Sequence, residues 1–229
     1  MAAPDNPKRH LVLLIALLTL VILAPLLTQT RRGTLVFNVI GVAVLLIGIY
    51  AVSQHKHVLV VAIVLSVLSI LGTSFLLVYP GHVSVIVSHT TIVVVLGFFA
   101  VAILYYVVGN GRVTSDKIFA AICAYLLIGY AWAFAYSVLD ECSPGAFATP
   151  TELALDDYAG RVLQMRYFSF ITLATVGYGD IVPRTTGART MVILEAILGQ
   201  FYLVALVGRL VGLHIVHGTG PHHATNKEL

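Results

Sequence analysis

Six stretches of the chain are each long and apolar enough to cross a lipid bilayer, and they constrain the fold more than any other feature. They are residues 11–28, 34–52, 58–79, 83–108, 118–139 and 188–214. A membrane-spanning helix needs about 20 mostly apolar residues, and each stretch meets or approaches that length. Short polar segments with turn residues separate the first five stretches, which predicts antiparallel hairpins between neighbouring helices.

Composition excludes a water-soluble domain. Apolar residues make up 59% of the 229 residues and charged residues make up 10%, whereas soluble domains are about 45–50% apolar and about 25% charged. The formal net charge of +3 is scattered along the chain, without the basic stripe that nucleic-acid binding requires. We therefore expect an all-α integral membrane protein, with membrane lipid as a partner and no nucleic acid.

The first stretch follows Lys8, Arg9 and His10, an arrangement that also occurs in signal peptides. Its apolar run of about 18 residues is longer than a signal peptide requires, and no small-residue cleavage site follows, so we expect a retained first span. An even number of spans places both termini on one side of the membrane. Positive residues favour cytoplasmic termini only weakly, because Arg31 and Arg32 fall on the opposite side.

The connection between the fifth and sixth stretches, residues 140–187, is much longer than the others and contains an unusual motif. A helix-length piece at residues 162–174 is too short to span and is followed at once by Thr175-Val176-Gly177-Tyr178-Gly179. Non-helical backbone at membrane depth is tolerated only inside protein or along a water-filled path. The pattern therefore predicts a re-entrant loop, formed by a short pore helix and an extended strand.

The residue types of this strand suit a dehydrated potassium ion. Such an ion needs oxygen ligands that replace its hydration shell, and carbonyl groups aimed at one axis supply them. Aiming successive carbonyl groups the same way requires alternating backbone conformations, and Gly177 and Gly179 adopt positive φ angles cheaply. The Thr175 hydroxyl would add an innermost ring of oxygens. Val176 and Tyr178 would point away from the ions and pack against the pore helix.

These features resemble the tetrameric potassium channels, whose selectivity filter carries the sequence T-V-G-Y-G. The resemblance is specific over residues 161–213 and extends to the first four stretches only in their number and position. It implies a homotetramer that needs no cofactor and conducts potassium as the permeating ion. The filter residues that it implies are Thr175, Val176, Gly177, Tyr178 and Gly179, with potassium held at the first four.

By the same resemblance, the last stretch is the inner helix of the pore. Gly199 lies at the position of the family's gating hinge, but a glycine there also permits close helix packing, and both interpretations stay open. For Gly208 we expect packing alone. The candidates for the pore-lining face recur at roughly helical spacing and are Gln200, Leu203, Val207 and Val211.

Three residues are expected to support the filter: Thr172, Asp180 and Glu195. Some family members carry a glutamate four residues before the filter threonine, where this chain has Ile171. Glu195 is an intramembrane carboxylate one turn before Gly199, and such groups are expected to be functional. We expect it to bond Thr172 or a tyrosine hydroxyl of the fifth stretch and so brace the filter. A structural bond between helices is the alternative.

The fourth stretch departs from voltage-gated members of the family. Residues 83–108 contain no Arg, Lys, Asp or Glu. A voltage sensor needs charged residues, because each charge that moves through the membrane field supplies about 2.3 kcal/mol per 100 mV to gating. Weak or absent voltage dependence is therefore expected. The predicted organisation is a cytoplasmic N-terminus, a voltage-sensor-like bundle without gating charges, a linker, a pore domain and a cytoplasmic tail, at residues 1–10, 11–108, 109–117, 118–214 and 215–229.

The sequence thus predicts a potassium-selective channel of the plasma membrane, which is the cell inner membrane if the source is bacterial. We found no metal-ligand spacing, nucleophile motif or phosphate loop, so an enzyme is not expected. Two alternatives stay open. One is a cation channel of poor selectivity or a potassium uptake subunit that works with a partner. The other is a non-conducting subunit that assembles with another channel.

Overall fold

A computed structural model describes residues 8–27, 30–53, 56–109, 114–149 and 158–218, without the side chains at positions 31, 34, 158, 207 and 210–218. These residues form seven helices and two short strands: α1 Arg9–Leu27, α2 Arg31–Val52, α3 Lys56–Val78, α4 His82–Val108, α5 Ser115–Cys142, β1 Phe147–Ala148, α6 Tyr158–Leu173, β2 Val182–Pro183 and α7 Thr186–Gly218. Parts of the predicted N-terminus, linker and tail, at residues 1–7, 110–113 and 219–229, lie outside the described residues.

Six of these helices are long and apolar enough to cross a membrane, in agreement with the number of predicted spans. They are α1 to α5 and α7. The remaining helix, α6, has 16 residues and is too short to span. It begins at Tyr158 rather than at residue 162, because its first four residues, which include Gly160 and the charged Arg161, are helical although they do not extend the apolar run.

Threonine side chains cap the starts of two helices. Thr30 Oγ1 accepts a hydrogen bond from the backbone N–H of Gly33 at 3.1 Å, at the start of α2. Thr114 Oγ1 accepts one from the N–H of Lys117 at 3.4 Å, at the start of α5. Such bonds satisfy backbone donors that the first turn of a helix leaves unpaired.

Helix α5 is central to the fold, because α1, α4, α6 and α7 all pack against it. The main core lies where α1, α4 and α5 meet, and its most deeply buried side chains include Leu13, Leu17, Val95, Phe99, Ile103 and Leu127. Of the first four helices, α1 and α4 therefore pack directly on the same chain's α5, whereas α2 packs mainly on α1 and α3 packs mainly on α4. Helices α2 and α3 keep many exposed apolar side chains, among them Val39, Leu46, Val60 and Leu71, as expected of surfaces that contact lipid.

A second, smaller core surrounds the segments on either side of the filter sequence. Its buried residues include Tyr136 of α5, Phe147 of β1, Phe168 of α6 and Ile181 just before β2. The rings of Tyr136, Phe147 and Phe168 lie with their centroids 5.3–5.5 Å apart. This aromatic cluster fixes α5, α6 and β1 relative to one another.

The two strands form an antiparallel ladder, with Phe147 opposite Pro183 and Ala148 opposite Val182. The N–H of Arg184 extends the ladder by donating to the carbonyl of Ala146, at 2.8 Å. The expectation of a wholly helical chain misses this ladder, because strands of two residues carry no periodic signal. The ladder ties the chain that follows the filter to the chain that follows α5.

Candidate ion-conduction site

The filter sequence follows directly on α6 and has an alternating backbone. Thr175, Gly177 and Gly179 have positive φ angles of 58°, 50° and 77°, whereas Val176 and Tyr178 do not. This alternation at every second residue is the condition for aiming successive carbonyl oxygens to one side of a strand. The positive φ angles predicted for both glycines are present, and that of Thr175 is an addition to the prediction.

Thr175 is the only non-glycine residue with a positive φ angle in the part of the chain that the structure describes. A β-branched residue is unfavourable in this conformation, by about 1–3 kcal/mol. The Thr175 N–H donates to the carbonyl of Thr172 at 2.9 Å. This bond to the last turn of α6 helps to hold the strained conformation.

Backbone donors of the filter are bonded back to α6. The N–H groups of Val176 and Gly177 both donate to the carbonyl of Ile171, at 2.8 and 3.2 Å. Together with the bond from Thr175, these contacts satisfy carbonyl groups that a helix C-terminus otherwise leaves unpaired. The carbonyl groups of the filter take no part in these bonds and are available as oxygen ligands for a cation.

In the single chain, the filter strand is open to its surroundings. Val176 is 51% exposed and Tyr178 is 73% exposed. The expectation that these side chains pack against the pore helix stays a prediction, since a single chain provides little surface around the strand. Among the described residues, no three His, Cys, Asp or Glu side chains could together hold a metal ion.

Asp180 directly follows the filter and is held by two hydrogen bonds. The Tyr167 hydroxyl of α6 donates to its Oδ2 at 2.6 Å, and the backbone N–H of Ile181 donates to its Oδ1 at 3.0 Å. These bonds stabilise the carboxylate and lower the pKa of Asp180, while the pKa of Tyr167 rises to about 12 because its hydroxyl proton is shared with Asp180. The contact links the residue that follows the filter sequence to α6.

Glu195 is fully buried between three helices. The Tyr136 hydroxyl of α5 lies 2.5 Å from its Oε2, and the Ser169 hydroxyl of α6 lies 2.5 Å from its Oε1. Of the two expected partners, the structure contains the tyrosine, whereas Ser169 takes the place expected for Thr172. The buried Thr172 instead contributes its backbone carbonyl, which accepts from the first residue of the filter.

Gly199 packs against the end of α6. A Cβ atom at this position would lie 2.5 Å from the backbone oxygen of Leu173, which is closer than side chains tolerate. No atom of the described residues lies within 4 Å of the corresponding position at Gly208. The single chain therefore gives a packing reason for Gly199 and none for Gly208, where packing was expected.

Two of the four predicted pore-lining side chains, Gln200 and Leu203, lie among the described residues. Gln200 is exposed, and Leu203 is 39% exposed in the single chain. The side chains of Val207 and Val211 lie outside the described residues. Many apolar side chains of α7 are exposed as well, namely Ile193, Leu194, Ile197, Leu198, Phe201 and Val204.

Arg166 of α6 is a feature of the site that the sequence did not indicate. Its side chain is buried, with 5% exposed, and its guanidinium carbon lies 5.1 Å from the ring centre of Phe37 and 5.4 Å from that of Tyr130. Its Nε and Nη1 atoms have no hydrogen-bond partner among the described residues. The sequence shows that the predicted pore helix contains a charged residue. It does not show that this residue is buried, because the burial depends on how α2 and α5 pack against α6.

Comparisons with known proteins point to the same part of the chain. A family model described as "Ion channel" matches residues 151–213, which include the filter sequence. Potassium channel protein kcv of Paramecium bursaria Chlorella virus 1 is 35% identical over 63 residues, covering 28% of this chain and 67% of that protein. Protein LctB of Bacillus caldotenax is 29% identical over 100 residues, covering 44% of this chain and 74% of that protein.

Two-pore potassium channel 4 of Arabidopsis thaliana is 44% identical over 45 residues, which cover 20% of this chain and 16% of that protein. The chain thus spans much less than two thirds of the plant channel. No solved structure matches the chain significantly. The ion-channel match covers residues 151–213, which include the alternating backbone at Thr175, Gly177 and Gly179. Together with the match to two thirds of the viral potassium channel, it shows that the chain belongs to the potassium channel family.

Proposed function

We propose that the chain is a potassium-selective channel that conducts passively through a homotetrameric pore. The observation that carries the proposal is the filter backbone, where positive φ angles alternate at Thr175, Gly177 and Gly179. The N–H groups of Thr175, Val176 and Gly177 are bonded back to α6 without using the carbonyl groups of the strand, so those carbonyl oxygens can replace the hydration shell of a potassium ion. Potassium is coordinated from Thr175 to Tyr178, and Gly179 completes the strand.

Four copies of the strand are needed, because one chain supplies only a quarter of each ring of carbonyl oxygens. The exposure of Val176 and Tyr178 in the single chain supports this assembly, since neighbouring subunits would cover both side chains. The exposed apolar face of α7 supports it as well. In the tetramer, part of that face packs against neighbouring subunits, while Gln200, Leu203, Val207 and Val211 line the pore.

Helix α6 serves as the pore helix of a re-entrant loop. It ends at Leu173, immediately before the filter, so its negative C-terminal end favours a cation in the cavity below. Thr172, Asp180 and Glu195 support this arrangement through the contacts described above. Gly199 acts as the hinge at which α7 bends when the cytoplasmic mouth opens.

Helices α1 to α4 form a voltage-sensor-like bundle that lacks gating charges. Residues 83–108, which include nearly all of α4, contain no Arg, Lys, Asp or Glu, so the membrane field has little charge to act on there. We expect open probability to change little with voltage in planar-bilayer recordings. A steep voltage dependence would contradict this part of the proposal. The chain is placed in the plasma membrane, or the cell inner membrane of a bacterium.

Conduction is tested with the purified full chain in potassium-loaded liposomes, with flux recorded against external sodium or external potassium. Gly177→Ala is the test variant, because an L-residue is strained at this φ angle, at a cost of about 1–2 kcal/mol per subunit. Gly97→Ala in α4 is the matched control, since an added Cβ there meets no atom within 4 Å.

Potassium-selective flux in the wild type and in Gly97→Ala, with loss of flux or selectivity in Gly177→Ala, would support the proposal. Equal sodium and potassium flux would indicate a poorly selective cation channel. Absence of flux together with absence of a stable tetramer, measured as the mass of the purified assembly, would favour an accessory subunit of another channel.

A further inference from the structure

The oxygen atoms around Glu195 restrict which of them can carry a hydrogen. Ser169 Oγ lies 2.5 Å from Glu195 Oε1 and also 2.8 Å from the carbonyl oxygen of Gly129. The hydroxyl of Tyr136 lies 2.5 Å from Glu195 Oε2. Ser169 and Glu195 are both 0% exposed, so these groups must satisfy one another. We refer to Gly129, Tyr136, Ser169 and Glu195 as the Glu195 network.

The hydrogens of the Glu195 network can be arranged in two ways, which differ in whether Glu195 is neutral or ionised. A serine hydroxyl carries one hydrogen and donates one hydrogen bond, whereas a backbone carbonyl can only accept. If Ser169 donates to Gly129, the 2.5 Å contact between Ser169 and Glu195 contains a hydrogen only when Glu195 supplies it. A neutral carboxylic acid has that hydrogen to give, and an ionised carboxylate does not.

An ionised Glu195 would be energetically unfavourable for two reasons. If Ser169 donates to an ionised Glu195, its oxygen and the Gly129 oxygen face each other at 2.8 Å with no hydrogen between them. The negative charge is also buried, and no ion pair to Glu195 is formed by the residues that the structure describes. Burying an unpaired charge is among the most expensive changes in a protein interior.

We propose that Glu195 is a neutral carboxylic acid that donates its hydrogen to Ser169, which in turn donates to the Gly129 carbonyl, while Tyr136 donates to Glu195. This inference rests on the proposed function and deepens it. The filter is braced by an uncharged relay from α7 through α6 to α5. Glu195 acts on the pore helix through Ser169, and it is therefore a positioning residue.

A neutral relay makes a specific prediction for the amide variant. In Glu195→Gln, the amide N–H can donate to Ser169 and the amide oxygen can accept from Tyr136, so every bond of the network is kept. We expect flux at neutral pH within about twofold of the wild type, because each hydrogen bond between Tyr136, residue 195, Ser169 and Gly129 keeps both of its partners. In Glu195→Ala the bonds are lost, and we expect the conducting fraction to fall by about tenfold.

Alkaline pH distinguishes the acid from the amide. Removing the Glu195 proton breaks the relay in the wild type, whereas Glu195→Gln has no such proton. The other titratable groups that face this region are Tyr136 and Tyr125 of α5. On α6, Arg166 contacts Phe37 and Tyr130, and Tyr167 is bonded to Asp180. These groups are common to the wild type and Glu195→Gln. A loss of flux at alkaline pH that occurs only in the wild type is therefore due to Glu195.

The proton itself is read by infrared spectroscopy of the full chain in liposomes, with isotope-labelled glutamate. At neutral pH we expect the carbonyl band of a protonated carboxylic acid, present in the wild type and in a Glu141→Gln control but absent from Glu195→Gln. Ser169→Ala, which removes the acceptor, should shift this band. The absence of a protonated band at neutral pH would overturn the proposal, as would flux in Glu195→Gln as low as in Glu195→Ala.

The two proposals fail in different ways. An ionised Glu195 in a protein that conducts potassium selectively would overturn the relay and leave the channel intact. A wild type that never conducts would overturn the proposed function, and the infrared band would still decide whether Glu195 holds a proton.

Discussion

Gly199 of α7 lies directly against the backbone oxygen of Leu173, the last residue of α6; a Cβ atom at position 199 would be 2.5 Å from that oxygen. Four residues earlier on each helix, Glu195 and Ser169 are also in contact, at 2.5 Å. Helix α7 is therefore held to α6 at two adjacent turns. A bend at Gly199 must act on the same turn of α6 that supports the filter.

Gly199→Ala should destabilise the assembly and impair the filter. The atom that the new methyl group meets is backbone, which cannot move without shifting α6, and overpacking of this kind costs about 1–3 kcal/mol. Gly208→Ala is the matched control, since the corresponding position meets no described atom within 4 Å. Thermal unfolding of the tetramer and potassium flux are the measurements. Equal stability of the two variants would show that α6 accommodates the methyl group.

The bond between Tyr167 and Asp180 predicts an acid limit for conduction. Because this bond lowers the pKa of Asp180, its stabilising contribution is complete above the ordinary aspartate pKa of about 3.9 and is lost as pH falls through the lowered value. Tyr167→Phe removes the bond and should raise the pH at which flux is lost. A pH series of liposome flux tests this, with Tyr105→Phe, an exposed tyrosine of α4, as the control.

The bond between Tyr167 and Asp180 should also be lost at high pH. The pKa of Tyr167 is raised to about 12, so its contribution is complete below the ordinary tyrosine pKa of about 10 and is lost as pH rises through about 12. An acid limit of flux that is identical in the wild type and Tyr167→Phe would show that this pair does not control the filter.

Arg166→Met should raise the free energy of unfolding by about 1 kcal/mol or more. The guanidinium is buried with Nε and Nη1 unpartnered among the described residues, and an effective penalty of several kcal/mol per buried ion is typical. Its two contacts with the rings of Phe37 and Tyr130 offset only about 0.5–2 kcal/mol each. Denaturant unfolding is the measurement, and Arg166→Lys, which keeps the charge, should not be stabilised. A loss of stability in Arg166→Met would disprove this balance.

Tyr202→Phe should shift the balance between the closed and the open pore. The Tyr202 hydroxyl, about one turn beyond Gly199, donates to the carbonyl of Ala121 in α5 at 2.5 Å. Its removal costs about 0.5–1.5 kcal/mol in the state that contains the bond, which corresponds to a change of up to about tenfold in open probability. Single-channel recording tests this. Tyr125→Phe is the control, because the structure gives Tyr125 a ring contact with Tyr202 at 5.5 Å but no hydrogen bond among the described residues.

The positions of the helices could be predicted from the sequence because length and apolar character alone determine a span. The positive φ angles of Gly177 and Gly179 could be predicted too, since glycine is the residue that favours them. That of Thr175 could not, because the residue type opposes it. The conformation is imposed by surrounding contacts, including the bond from Thr175 N–H to the Thr172 carbonyl.

Contacts between distant helices were the least predictable part of the site. A tyrosine of the fifth span was an expected partner of Glu195, but Ser169 was not, because the register of α6 against α7 is set by packing rather than by local pattern. The burial of Arg166 depends in the same way on Phe37, which lies on α2. Tetramer formation, potassium selectivity and weak voltage dependence stay predictions.

The ladder between β1 and β2 brings together the two ends of a segment that begins at Phe147 and ends at Pro183 and contains the pore helix and the filter. Because the two ends of this segment are hydrogen-bonded to each other, they stay adjacent whatever the length of chain between them. Residues 147–183 are thus a natural unit for exchange between channels. A graft that keeps both strands preserves its own anchoring, whereas one that cuts between them separates the filter from its support.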